Sequence, residues 1–148
     1  MALEIVERNY DEKKMILLGI KENGPIIAAI LASHLKKSFS GEIQVGSLSM
    51  DKKRPGEVMI EPSFSFDNEI VILIDDVVNS GKAFLYALKP LLAAYPKKIQ
   101  TAALVERTHK SFPVALDYVG LSVSTTLDEH IFVEVENNEV QGAWMEIK

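Results

Sequence analysis

Cysteine is absent from this chain of 148 residues, which excludes both a disulfide framework and a zinc site built on thiolates. Long apolar runs are absent as well, because no stretch approaches the roughly 18 uncharged residues of a membrane-spanning helix. The first ten residues also lack the basic leader and apolar segment of a signal peptide. We therefore expect a cytoplasmic protein that has no membrane partner.

Basic residues are fewer than acidic residues in this chain. The chain has 16 Lys and Arg residues against 21 Asp and Glu residues, which gives a formal net charge of -5. Dedicated duplex-DNA binders carry a basic field, so we expect no DNA partner, although a local basic face for RNA stays open. Hydrophobic residues make up 47% of the chain. At this length they predict one domain with a substantial core, spanning residues 1–148.

Apolar runs alternate with amphipathic segments along the first half of the chain. Residues 15–20 (MILLGI) predict a strand, and a tight loop then leads into a helix whose first turn accommodates Pro25. A second strand is predicted over residues 42–50, and a short edge strand before Pro62, which cannot donate to a central ladder. Residues 69–74 (EIVILI) are apolar on both faces, which favours a central strand covered by helices on both sides.

The second half of the chain continues the alternation and ends in a hairpin. We predict a helix over residues 81–95, a buried strand over 98–106, a short strand over 117–123, and two alternating strands joined at Asn137 and Asn138. This order predicts an α/β fold of the doubly wound type, with a central, mostly parallel twisted sheet flanked by helices.

Two adjacent carboxylates, Asp75 and Asp76, are predicted where the central strand ends, and ligands of open α/β sheets bind beyond such ends. Residues 79–83 (NSGKA) begin a helix and offer the backbone N–H groups that suit a phosphate, while the acids suit sugar hydroxyls or a divalent metal. A Walker loop is excluded, because Asp76 stands in place of its first glycine and Ala83 follows Gly81-Lys82. The alternative is a solvated strand end followed by a helix cap.

These residues carry a resemblance to a known family. The segment ILIDDVVNSGKA resembles the phosphoribosyl pyrophosphate signature of the type I phosphoribosyltransferases, with its apolar strand, two acids, two apolar residues, variable residue, Thr or Ser, Gly and basic residue. LVERTHKSFPVALDYVGLSVSTTLDEHIFVEV is similar to the C-terminal part of the bifunctional pyrimidine-operon attenuator and uracil phosphoribosyltransferase family, and GIKENG resembles that family's pyrophosphate loop. The resemblance spans roughly residues 5–135 and implies the type I phosphoribosyltransferase fold with a small hood and a C-terminal β-hairpin.

The resemblance implies a role for each part of the site. Asp75 and Asp76 would bind the 2- and 3-hydroxyls of the ribose, directly or through Mg²⁺, and Arg54 in a charged loop would close over the substrate and stabilise the leaving group. The implied ribose and phosphate contacts are Asp75, Asp76, Val77, Val78, Asn79, Ser80, Gly81, Lys82 and Ala83. The implied pyrophosphate contacts are Lys21, Glu22, Asn23 and Gly24, and the hood over the base is implied to include Arg107, Val119 and Gly120.

The implied activity is transfer of the 5-phosphoribosyl group from phosphoribosyl pyrophosphate to a nucleobase in a homodimer or larger homo-oligomer. Uracil is favoured, because Asn79 stands where purine enzymes have an aspartate that takes a ring proton, and an amide cannot take it. An alternative function is a nucleotide-sensing RNA-binding regulator of pyrimidine genes. A third is a phosphoribosyl-binding module with little catalysis, since Glu22-Asn23 and Ala83 replace the family's Thr-Arg and Thr.

Overall fold

The computed structural model describes residues 1–51, 53–126 and 128–147, and within them it places three helices and eight strands. The helices are α1 (Ala2–Asn9), α2 (Gly24–Leu35) and α3 (Lys82–Leu92). The strands are β1 (Lys14–Ile20), β2 (Glu42–Ser49), β3 (Met59–Glu61), β4 (Ile70–Val78), β5 (Lys98–Arg107), β6 (Tyr118–Val123), β7 (Glu129–Glu136) and β8 (Glu139–Ile147). No helix among the described residues is long and apolar enough to cross a membrane.

Six strands form the main sheet in the order β3-β2-β1-β4-β5-β6, parallel except for the short edge strand β3. Residues 70–74 of β4 are at most 1% exposed, which confirms the prediction of a strand covered on both faces. Ile72 packs into the cluster that contains α2, whereas Leu73 packs into the cluster that contains α3. The predicted α/β architecture is therefore confirmed.

The neighbouring strands β1 and β4 separate near their carboxyl ends. Their pairing stops at Gly19 and Ile74, while β4 goes on pairing with β5 as far as Val78 and Glu106. The prediction that the central strand ends at Ile74 was therefore wrong, because β5 continues to bind it for four more residues. The connection after β1 leads to β2 on one side and the connection after β4 leads to β5 on the other, so the strand order reverses between them. Open α/β sheets bind ligands at such a point.

The last two strands form a separate antiparallel hairpin. Asn137 and Asn138 have φ values of 54° and 60°, the left-handed pair that a tight two-residue turn requires, as predicted. Ile131 and Val133 of β7 are buried against Val105 near the end of β5. The hairpin therefore lies over the carboxyl ends of the central strands.

Helix α3 is shorter than predicted, since it ends at Leu92 rather than at residue 95. Pro90 lies inside its last turn, and Tyr95 precedes a second proline, Pro96. The helical region is disfavoured for a residue before proline, so Tyr95 is a poor position for a helix to continue.

Helix α1 is held on the sheet by a buried polar cluster. Asn9 Nδ2 donates to the Oε1 atom of Gln100 on β5 over 2.9 Å, and the Tyr118 hydroxyl donates to the same oxygen over 2.9 Å. The Arg8 guanidinium lies 5.1 Å from the centroid of the Tyr118 ring. Burial raises the pKa of Tyr118 above its ordinary value of 10.0, because the ionised phenolate loses its hydration there.

The substitution Tyr118→Phe is expected to lower the free energy of unfolding by about 1–2 kcal/mol at neutral pH, since it removes the buried hydrogen bond to Gln100 and a longer one, 3.4 Å, from Asn9. A raised pKa means that the folded state holds the proton more tightly than the unfolded state. The hydroxyl's contribution is therefore complete below about pH 10 and declines as the pH rises through the folded-state value. Urea unfolding of both proteins between about pH 7 and about pH 11 should show the difference shrinking.

Tyr95→Phe is the matched control, because Tyr95 is 84% exposed. It should leave the free energy of unfolding unchanged across the whole pH range. A difference between wild type and Tyr118→Phe that stays constant from neutral to alkaline pH would contradict the assigned role.

Candidate functional site

A cavity of about 300 Å³ opens at the carboxyl ends of the strands, between the start of α3 and β7. It is lined by residues 75–84 and by His130, Ile131 and Phe132 of β7. The whole predicted ribose and phosphate stretch, residues 75–83, thus surrounds one space. Ile131 and Phe132 were not among the predicted site residues. Their alternating pattern predicts a strand, but it carries no information about which part of the sheet that strand covers.

The two carboxylates differ in burial. Asp75 is 1% exposed, and its Oδ1 atom accepts the Asp76 N–H over 2.8 Å. Asp76 is half-buried, and its two oxygens accept the Val77 N–H over 2.7 Å and the Asn23 side-chain N–H over 2.9 Å. Successive strand residues point to opposite faces, which keeps the two negative charges apart. An ionised carboxylate offers about four acceptor positions, so Asp76 can bind a further hydroxyl or a metal.

The turn between β4 and α3 has the geometry of an anion site. Gly81 has a φ of +86°, a conformation that favours glycine, and α3 begins at the next residue. The positive end of the helix dipole therefore faces the cavity. The Ser80 carbonyl accepts the Ser111 and Phe112 N–H groups, each over 3.0 Å, which ties the turn to the β5–β6 connection. The Lys82 N–H donates to the Ser80 hydroxyl over 3.2 Å, so one of the predicted phosphate donors has a partner within the turn.

The charged loop that contains Arg54 lies next to this turn. Lys82 Nζ donates to the Lys53 carbonyl over 3.0 Å, and the Arg54 N–H is 3.4 Å from the Asp51 carboxylate. Arg54 itself is exposed. The loop is therefore anchored beside the cavity, and the role of Arg54 toward a leaving group stays a prediction.

The predicted pyrophosphate segment, residues 21–24, lies across the gap from Asp76. Lys21 and Glu22 are exposed, and Asn23 reaches the Asp76 carboxylate. Gly24 is buried so tightly that a Cβ atom would lie 2.7 Å from the Ile74 carbonyl oxygen. The turn thus lies directly beside the end of the β1–β4 pairing, and the two predicted binding loops face each other.

The three predicted hood residues lie outside the cavity. Arg107 uses its guanidinium to hold the connection between β6 and β7, donating to the Thr125 hydroxyl over 2.6 Å and to the Thr126 carbonyl over 2.9 Å. Val119 and Gly120 belong to β6, which is separated from β4 by β5. The cover over the cavity comes from β7 instead, because the hairpin crosses the strand ends. Contact of these three residues with a base stays a prediction.

The donor set suits magnesium. Among the described residues, no three His, Asp or Glu side chains converge to form a cage made of protein alone. Mg²⁺ commonly takes one or two carboxylates and completes its shell with substrate phosphate oxygens and water. Asp75 and Asp76, which line a cavity beside an anion site, fit that mode of binding.

Comparison with known proteins gives a consistent result. The family model described as "Phosphoribosyl transferase domain" matches residues 1–139. The "Bifunctional protein PyrR" of Ligilactobacillus salivarius is 34% identical, over 96% of this chain and 85% of that protein. A "Pyrimidine operon regulatory protein" of Lactococcus lactis is 33% identical, over 94% of this chain and 83% of that protein.

Solved structures show the same architecture. The hypoxanthine phosphoribosyltransferase of Trypanosoma cruzi in complex with IMP superposes with a TM-score of 0.74 at 14% identity, covering 89% of this chain and 71% of that one. A hypoxanthine-guanine phosphoribosyltransferase of Bacillus anthracis gives a TM-score of 0.67 at 18% identity, covering 88% and 75%. At these identities the likeness concerns the fold alone.

The substitution Gly24→Ala tests the contact between the two binding loops. Its Cβ atom would meet backbone on two sides, 2.7 Å from the Ile74 oxygen and 3.0 Å from the Gly19 carbonyl carbon. The turn must then move away from β4, which we expect to lower the free energy of unfolding by about 1–3 kcal/mol in a urea titration. Gly56→Ala is the control, because its Cβ atom would meet nothing within 4 Å. Equal changes in the free energy of unfolding for the two substitutions would show that the close approach of Gly24 to Ile74 does not contribute to stability.

Proposed function

The chain belongs to the phosphoribosyltransferase family, and from that membership we propose that it transfers the 5-phosphoribosyl group of phosphoribosyl pyrophosphate to uracil in the presence of Mg²⁺. The products are uridine 5-monophosphate and pyrophosphate. We assign the reaction to pyrimidine salvage in the cytoplasm, carried out by the single domain of residues 1–148 as a homodimer.

One observation carries this proposal. Both acids and the complete phosphate turn line a single cavity at the point where the strand order reverses. A phosphoribosyl group needs hydrogen-bond acceptors for its hydroxyls and N–H donors for its phosphate within one sugar length. Asp75 and Asp76 supply the acceptors, and the turn at residues 79–83 supplies the donors and the positive helix end.

The chemistry requires positioning rather than a covalent nucleophile. The bond between the sugar and the pyrophosphate breaks through an oxocarbenium-like centre, a base nitrogen forms the new bond, and the proton of that nitrogen passes to the released pyrophosphate. We assign Asp75 and Asp76 to the ribose hydroxyls, and residues 21–24 with Arg54 to the departing pyrophosphate. Mg²⁺, when bound with the substrate, supplies charge neutralisation for the diphosphate oxygens. Glu22 is exposed, so water and salt screen its repulsion of the leaving group.

Uracil is favoured over a purine by Asn79. Its Nδ2 atom donates to the Ile131 carbonyl over 3.4 Å, which places the amide between the phosphate turn and β7. Its Oδ1 atom is buried, and no residue in the described part of the chain donates to it. An amide oxygen can accept a hydrogen bond there but cannot take a proton from a purine ring nitrogen. The name of the Lactococcus lactis relative also refers to pyrimidines.

A turnover assay with uracil, hypoxanthine, guanine and xanthine tests the proposal. Uracil should be consumed with the highest kcat/KM, and removal of magnesium with a chelator should abolish turnover. Asp76→Asn should lower kcat/KM by about 100-fold or more, because a contact to the reacting sugar is lost. Asp11→Asn, an exposed carboxylate at the opposite end of β1, should leave it unchanged.

Two results would go against the proposal. Calorimetry that detects neither phosphoribosyl pyrophosphate nor uridine 5-monophosphate in the presence of magnesium would refute binding at this site. Tight binding of both without turnover of any base would instead support the phosphoribosyl-binding module.

A second candidate function is RNA-binding regulation of pyrimidine genes. It is supported by the names of two relatives, one called bifunctional and the other an operon regulator. We propose that RNA binding, if this chain retains it, rests on a local basic face, since the net charge is -5. A gel shift with pyrimidine-operon leader RNA should then weaken steeply between about 50 mM and about 200 mM salt. The absence of any shift at the lower salt concentration would remove this function.

A further inference from the structure

Asn23 stands immediately before α2 but does not cap it. An asparagine at this position normally accepts a backbone N–H of the first helical turn with its side-chain oxygen. Here the backbone carbonyl of Asn23 accepts the Ile26 and Ile27 N–H groups over 3.1 and 3.2 Å, and the side chain makes no capping bond. The helix forgoes a stabilising contact, so the amide is available for another task.

That amide reaches two other elements. Its Nδ2 atom lies 2.9 Å from Asp76 Oδ2 and 3.3 Å from the Val133 carbonyl oxygen on β7. The other oxygen of Asp76 accepts the Val77 N–H, so the carboxylate is held from both sides. Because an amide is neutral, it orients Asp76 without cancelling the negative charge that a metal or a hydroxyl needs.

The contact with β7 has a counterpart on the far side of the cavity. Asn79 Nδ2 donates to the Ile131 carbonyl over 3.4 Å, and Ile131 and Val133 are two residues apart on the strand. Carbonyls two residues apart point to the same edge of a strand. In its two-stranded sheet, β7 has β8 as its neighbour. Two asparagine side chains, one from each binding loop, therefore donate to main-chain carbonyls on the same edge of β7.

We propose that Asn23 is a positioning residue for phosphoribosyl transfer, which fixes the orientation of Asp76 and holds β7 over the cavity. This inference rests on the proposed function. The side chain of Asn23 acts through Asp76, which leaves the pyrophosphate contacts assigned above to the main chain and the other residues of the turn at 21–24. The bond between them spans the gap that opens where β1 and β4 separate, so it also fixes the spacing of the two binding loops.

A double-mutant cycle measures the link to Asp76, with uridine 5-monophosphate and magnesium as the calorimetric probe. Asn23→Ala should weaken binding by about tenfold in the wild-type background. In the Asp76→Ala background the loss should be clearly smaller, about threefold or less, because the carboxylate that Asn23 orients is gone and only its bond to β7 is removed. Equal losses in both backgrounds would refute the positioning of Asp76.

The near-isosteric variant Asn23→Asp tests whether the side chain at position 23 faces the Asp76 carboxylate. It keeps the shape of the side chain but replaces the donor by a second carboxylate facing Asp76. Its probe affinity should fall below that of Asn23→Ala, because like charges repel at this distance. An affinity of Asn23→Asp at or above that of Asn23→Ala would show that the side chain at position 23 does not lie against the Asp76 carboxylate, which would contradict the proposal.

Deuterium uptake of β7 in the ligand-free protein tests the second contact without any substrate. Asn23→Ala should raise uptake in residues 129–136 at least about threefold, since the strand edge loses a donor. The control is Gln141→Ala, which removes another amide donor from the hairpin, one that bonds the Glu136 carbonyl over 3.3 Å away from the cavity. It should leave uptake in residues 129–133 unchanged.

The outcomes separate the two proposals. If wild type binds neither the nucleotide nor phosphoribosyl pyrophosphate, the proposed function fails, and the uptake experiment still decides whether Asn23 holds β7. If wild type turns over uracil while Asn23→Ala matches Gln141→Ala in affinity and in uptake, the role of Asn23 is refuted and the proposed function stands.

Discussion

The separation of β1 from β4 beyond Gly19 and Ile74 is the constraint on which the site depends. While β4 pairs on both sides, its residues are buried and apolar, and no ligand can reach them. Once β1 turns away, β4 remains ordered because β5 still pairs with it. One edge of a rigid strand is thereby opened, and it carries Asp75 and Asp76. Rigid placement of charged groups at an accessible point is what a positioning mechanism requires.

The site brings negatively charged carboxylates close to a helix N-terminus that attracts anions. Two carboxylates stand within one cavity together with a helix N-terminus that favours anions. The strand alternation separates the carboxylates from each other, and the turn after them directs the backbone donors to a different part of the cavity. A molecule with hydroxyls at one end and a phosphate at the other satisfies both kinds of group. A simple anion satisfies only one of them, which argues against a plain phosphate site.

Sequence patterns predicted those parts of the fold that local chemistry decides. The unbroken apolar run at residues 70–74 predicted the central strand, and the paired asparagines at 137 and 138 predicted the hairpin turn. The motif around Asp75 predicted which residues share the cavity. The continuation of β4 to Val78 depends on pairing with β5, a partner more than 20 residues away in sequence, and no local signal encodes it. The same holds for the placement of β7 and for the diversion of the Asn23 side chain from its own helix, since both depend on contacts between distant segments.

The groups of β7 that bond the two asparagines differ from the groups that line the cavity. The first are main-chain carbonyls, and the second include the side chains of His130 and Phe132. The two asparagines bond oxygen atoms that every amino acid carries, so these two bonds do not depend on the side chains of the strand. His130 and Phe132, which line the cavity, alternate with the buried Ile131 and Val133. Substitution at these two positions can change the wall of the cavity and leave both the hydrophobic anchor and the carbonyl bonds in place. The hairpin can therefore vary in what it presents to the cavity without any change to Asp75, Asp76 or the turn that follows them.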